Sequence, residues 1–179
     1  IPMETIAIFC AIDDFCLKFE PWWEQRLLES SLKRRRRCKG LCLSEVLTIV
    51  VGFHLSGYRT FKYYYLNQVL KHERAYFPRL VSYNRFVELL PGTLIPLCGF
   101  LSSRFGHCSG ISFIDSTKIS VCHNRRIWSH QVMAELAARG RTSVDWFYGF
   151  KLHLIVNDQG ELLSVKITAG NVDDRYPVL

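Results

Sequence analysis

Residues 148–158 read YGFKLHLIVND, and residues 159–170 continue as QGELLSVKITAG. In the first stretch Phe150, Leu152, Leu154 and Val156 alternate with Lys151, His153 and Ile155, the period of a half-buried strand. Asn157-Asp158-Gln159-Gly160 reads as a turn, and Leu163, Val165 and Ile167 as the returning strand. The apolar residues are expected on the buried face, with Lys151 and His153 on the opposite one. Upstream, residues 111–116 read ISFIDS, an earlier strand that contains Asp115. Asp is depleted in strands because it desolvates poorly there, so Asp115 needs a partner or a task. A carboxylate at a strand end is a hard oxygen ligand suited to magnesium; a structural Asp bonded to a neighbouring loop is the other reading.

Working back towards the N-terminus, the pattern changes near Gly106 from period two to helical spacing. Ile8, Ile12, Phe15 and Phe19 fall on one helical face, and the helix is expected to end before Pro21. Ser44 reads as an N-cap with Glu45 in the first turn, residues 46–55 are apolar nearly all round, and Gly57 is placed to close the helix. A helix without a polar face is a buried one. Phe61, Tyr64, Tyr65 and Val69 predict a third helix. Ser82 caps a fourth, whose Tyr83, Phe86, Val87 and Leu90 would face the core before Pro91-Gly92 stops it. The exposed face of that fourth helix would offer Asn84, Arg85 and Glu88, residue types that read base edges in a helix-turn-helix. Ordinary packing with polar residues facing water produces the same pattern.

The chain has 179 residues, 49% of them hydrophobic and 22% charged, enough for a packed core. Its net charge of +7 is concentrated in Lys33, Arg34, Arg35, Arg36, Arg37 and Lys39. So dense a cluster repels itself and must be solvated or neutralised by an anion. Such a run binds a nucleic-acid backbone without sequence preference; an exposed charged loop is the plainer reading. An anionic membrane surface has no amphipathic neighbour to support it. The longest apolar run is too short to span a bilayer, and the first residues do not read as a secretory signal. The expected setting is therefore the cytoplasm, in association with the nucleoid. Ile1 in place of Met points to a start that is not a natural one.

The seven cysteines are odd in number and irregular in spacing, which argues against a disulfide framework. His107-Cys108 and Cys122-His123 form two adjacent pairs, but neither has the C-x2-C spacing that marks a zinc site.

Asp115 followed by Thr117 and Lys118, then YGFKLHLIVND, then TAGNVDD over residues 168–174, form an ordered set of three elements. Together they resemble the DDE transposases of bacterial insertion sequences, and specifically the family called nine-eighty-two. LSEVLTIVVGFHLSGYRTFKYYY (residues 43–65), FPRLVSYNRFVEL (77–89) and VCHNRRI (121–127) look like that family too. The resemblance implies an α+β or α/β chain. Residues 1–105 would be a helical DNA-binding region, and residues 106–179 the first three, antiparallel strands of an RNase H-like catalytic core. Asp115 matches the first acid of the DDE triad. The second Asp and the Glu of the family pattern do not occur before Leu179, so the core is expected to be incomplete. Asp173 and Asp174 belong to the TxGNxxD element, with Asn171 and Asp173 shaping a loop near the site. Lys151 and His153 would approach DNA or be solvated, with contact favoured for Lys151.

In such enzymes three carboxylates hold two Mg2+ (or Mn2+) ions about 4 Å apart. They nick the element end and join its 3′-hydroxyl to target DNA. The resemblance implies Asp115 as a metal ligand, DNA as partner (element terminal repeats and target), and a homo-oligomer on paired ends. One carboxylate of three does not hold the ion pair, so this stretch alone is expected to be inactive, with an unpaired flank on its first strand. A DNA-binding remnant acting as a repressor at element ends, or a nuclease of the same fold, are the competing readings.

Overall fold

A computed structural model describes residues 2–29 and 40–174. The chain forms two compact units, residues 1–103 and 104–179.

In the first unit, helix α1 runs Pro2–Glu29. The expected stop at Pro21 does not occur. Pro21 lies on the exposed side of the helix, where the carbonyl that loses its amide partner is open to solvent. Ring contacts continue across it, Phe19 meeting Trp22 and Trp23 at centroid distances of 5.6 and 6.0 Å. Helix α2 spans Leu43–Leu55. Its cap falls two residues before the expected Ser44. Cys42 is the N-cap, and its amide donates to the Glu45 carboxylate at 2.7 Å. Ser44 is instead buried, and its carbonyl accepts from the Thr48 hydroxyl. Gly57 follows the helix at φ 73°, a conformation that favours glycine.

The third helical stretch is α3 (Phe61–Tyr64), a π turn (Tyr65–Val69) and α4 (Leu70–His72) in unbroken succession. The neighbouring Tyr64 and Tyr65 are both buried there. Ser82 caps α5 (Tyr83–Val87) by accepting from the Arg85 amide. Phe86 is fully buried and Tyr83 and Leu90 pack on the core as expected, but Val87 is exposed, contrary to expectation, and Leu89 packs on the core instead. Helix α6 (Leu94–Ser102) was not legible as a separate element. Two apolar clusters hold the unit together. Val46, Ile49, Tyr64, Tyr65, Val69, Phe77 and Phe86 form one; Ile12, Cys16, Leu43 and Leu47 form the other, with Phe15, Phe19, Leu97 and Phe100 against it.

The second unit is an antiparallel sheet of four strands, so the chain is of mixed α+β type: β1 Ser112–Cys122, β2 Ala138–Arg141, β3 Trp146–Asn157 and β4 Leu162–Ala169. β1 pairs along one flank of β3, while β2 and β4 share the other. β1 is longer than its apolar core suggested, and β2 is an added short strand. The turn between β3 and β4 forms as expected. Asn157 is buried and its side-chain oxygen accepts from the amides of Gln159 and Glu161 at 3.0 and 2.8 Å. No helix among the described residues is long and apolar enough to cross a membrane.

Candidate functional site

The GFKLH and TAGNVDD stretches lock onto each other residue by residue. The Gly170 amide donates to the Gly149 carbonyl at 2.9 Å. The Lys151 ammonium donates to the Val172 carbonyl at 2.9 Å and lies 3.0 Å from an Asp174 carboxylate oxygen. His153 Nε2 and the Thr168 hydroxyl are 2.8 Å apart. A Cβ on Gly149 would sit 2.0 Å from the Ile119 carbonyl oxygen, and one on Gly170 2.6 Å from that of Ala138. These motif glycines are required where backbone meets backbone. Partial burial works against the charge on Asp174, yet hydrogen bonds from Lys151 and Ser116 hold its carboxyl below the ordinary range.

This arrangement corrects the expected faces of β3. Lys151 and His153 are buried, whereas Phe150, Leu152, Leu154 and Val156 are only half-buried. The segment after β4 folds over the polar side, and hydrogen bonds to Lys151 and to Nε2 of His153 offset part of its desolvation, leaving His153 Nδ1 buried without a partner among the described residues. Lys151 is thus engaged within the fold, by Val172 and Asp174. Asn171 is exposed in the turn, and Asp173 is exposed beside Asp174, which makes the ion pair.

Asp115 lies on the other face. It pairs with Leu154, and Ser116 with His153; directly opposite residues share a face and successive ones alternate. Asp115 therefore stands with Leu152, Leu154 and Thr117, away from Lys151, His153 and Asp174. It is the fourth of eleven residues in β1, not at the strand end, and is exposed. One of its oxygens accepts from the Ser116 amide at 2.8 Å. It is also the one acidic residue within the four strands. Among the described residues no group of three or more His, Cys, Asp or Glu side chains is placed to hold a metal ion. The described residues therefore do not by themselves fit a two-cation site. β1 pairs with β3 alone among the described strands, leaving its second edge open.

The two His-Cys pairs lie at opposite ends of β1, His107-Cys108 before it and Cys122-His123 at its last residue. Cys108 is 3.9 Å from the Ser112 hydroxyl, while His123 Nδ1 accepts from the Arg125 amide beyond Cys122. The intervening eleven-residue strand spans roughly 35 Å.

In the first unit the basic residues Lys33, Arg34, Arg35, Arg36, Arg37 and Lys39 lie outside the described residues. Asn84 and Arg85 are exposed on α5, but that helix has five residues and Arg85 pairs with Glu88. The longer helical path 61–72 carries an exposed stripe that the apolar spacing did not single out: Lys62, Tyr63, Leu66 and Lys71. Lys62 lies over the Tyr83 ring at 5.9 Å and Lys71 donates to Asn67 at 2.7 Å. Alternation of charge with the buried Tyr64, Tyr65 and Val69 was the signal that could have found it.

No curated protein and no solved structure matches the chain. The second unit does find a counterpart: residues 105–179 match the family model described as the transposase DDE domain, which supports a DDE transposase and, at the level of that family, DNA transposition with DNA as the partner.

Proposed function

We propose that the chain is part of an insertion-sequence transposase of the nine-eighty-two family. Its helical unit would be the DNA-binding region and its sheet the opening strands of an RNase H-like core. The observation that carries this reading is the place of Asp115: a single exposed carboxylate inside β1 of an antiparallel sheet, in the segment that matches the transposase DDE domain. Asp115 is the catalytic acid and metal ligand of the complete enzyme in this reading. The basic residues 33–39 and the exposed side of the helices contact element-end DNA, in the bacterial cytoplasm, with two copies on paired ends.

The four strands supply one carboxylate, and the described residues no cluster that would hold a metal, so the 179-residue chain by itself is expected to bind DNA without cutting it. That favours a second role for such a chain, occupancy of element ends as a repressor. The test uses DNA carrying the element's own terminal repeats, with magnesium present. Salt-sensitive binding without nicking is the expected result. Nicking by this chain that Asp115→Ala abolishes would show that its site is already complete. Failure of any longer, active form to lose cleavage on Asp115→Asn would remove Asp115 from catalysis.

A further inference from the structure

We infer that the β2–β3 hairpin carries a stacking site for an unpaired nucleotide of DNA, built from Trp146 of β3 with Arg139 and Arg141 of β2. The inference rests on DNA being the partner of this chain.

The hairpin register sets Arg141 directly opposite Trp146, with Arg139 one pair further along on the same face. Both guanidinium carbons lie close to the indole, 5.4 Å from its centroid for Arg139 and 5.8 Å for Arg141. Trp146 is 51% exposed, and both arginines are exposed. Among the described residues neither arginine has a carboxylate in a salt bridge. Asp145, next to Trp146 in sequence, is paired with Lys118 at 2.6 Å. Between residues 118 and 148 the sequence holds five basic residues against two acidic ones. Two like charges thus converge on an apolar ring held in water, an arrangement completed by a ligand that is anionic and planar at once.

A nucleotide is such a ligand: its phosphate meets the guanidinium groups, and its base lies on the exposed indole. A duplex keeps its base faces stacked inside and offers the arginines only phosphates and base edges, so the indole selects unpaired nucleotides. The site also lies on the sheet face of Asp115. Asp115 pairs with Leu154, and Trp146 is an even number of positions along the same strand, roughly 26 Å away. A single strand bound at Trp146 would run on the side of the sheet that presents that carboxylate.

The experiment measures binding of the 179-residue chain to a fluorescein-labelled oligothymidylate of about 12 nucleotides and to a duplex of equal length. Trp146→Ala and Trp146→Leu are expected to weaken single-strand binding at least about fivefold, leaving duplex binding unchanged, while Trp146→Phe retains most of it. Leu keeps the apolar bulk, so its loss of binding isolates the aromatic face from any effect on folding. Arg139→Gln with Arg141→Gln should weaken both probes and flatten the salt dependence. The proposal is overturned if Trp146→Leu binds the single strand as wild type does, or loses both probes equally. A wild-type chain that binds neither probe would overturn the DNA reading itself, whereas duplex binding that ignores Trp146 overturns the stacking site alone.

Discussion

The Lys151 ammonium lies 3.0 Å from the Asp174 carboxylate and 2.9 Å from the Val172 carbonyl, and so pins the turn after β4 to the middle of β3. The lysine side chain is 11% exposed and the aspartate 55%, so the two ends of this contact have different weights. Lys151→Met leaves the Val172 carbonyl and Asp174 without their cation, and should destabilise the second unit by about 1–3 kcal/mol. Asp174→Asn, acting on the exposed partner, should cost less than about 1 kcal/mol. Urea unfolding followed by hydrogen exchange of β3 amides would measure both, and equal costs would show that the pair is not the main tie.

The same aspartate sets a dependence on acid. Its folded carboxyl titrates below the ordinary range because Lys151 and Ser116 bond its charged form, despite partial burial. A depressed carboxyl contributes stability above its unfolded value, near 4, and that contribution is lost as pH falls through the lower folded value. Stability of the wild-type sheet should therefore fall with acidification below about pH 4 more steeply than that of Asp174→Asn. Parallel acid limbs for the two proteins would contradict this.

Glycine substitutions should separate contact from conformation. Gly149→Ala places a methyl 2.0 Å from the Ile119 carbonyl oxygen and should prevent β1 from pairing with β3, at a cost of several kcal/mol. Gly160 has φ 81° with open space around it, so Gly160→Ala should cost only about 1–2 kcal/mol, the left-handed backbone penalty. Circular dichroism melts of both variants would decide the order.

Pro21 sits inside α1 on its exposed side. Pro21→Ala restores an amide donor to the helix and should raise the stability of the first unit by up to about 3 kcal/mol. A lowered melting temperature would show that a bend at Pro21 is needed for α1 to pack.

Cys16 is 4% exposed, and burial, with Glu20 and Asp13 beside it, pushes its thiol up to about 12. Thiolate is the reactive form, so iodoacetamide at neutral pH should label the exposed Cys10 well before Cys16. Peptide mass mapping over time would show the order; equal rates would mean that α1 opens readily from α2.

Much of the local structure was legible in the residues. Ser82 capping α5, the Asn157–Gly160 turn and the apolar spacing of Ile12 and Phe15 are encoded within a few positions of where they act. The elements read incorrectly are those decided at a distance. Pro21 stops a helix only where the freed carbonyl has nowhere to go. β1 extends through Thr117–Cys122 because β3 offers a ladder there, not because its own apolar pattern asks for a strand. α5, read from its residues as either a base-reading or an ordinary packing helix, is five residues long and its Arg85 is paired with Glu88.

For the candidate site the division is the same. Asp115 stood out because an acid inside an apolar strand is costly without a task, and that cost is a property of the sequence alone. The faces of β3 were decided by tertiary structure. Alternation says only that Lys151 and Leu152 point opposite ways. The polar side became the buried one because residues 170–174 fold back across it, giving Lys151 a carbonyl and a carboxylate, while Thr168 of β4 meets one nitrogen of His153. Desolvation of those groups is offset only by partners some twenty positions further along the chain, which no local pattern contains.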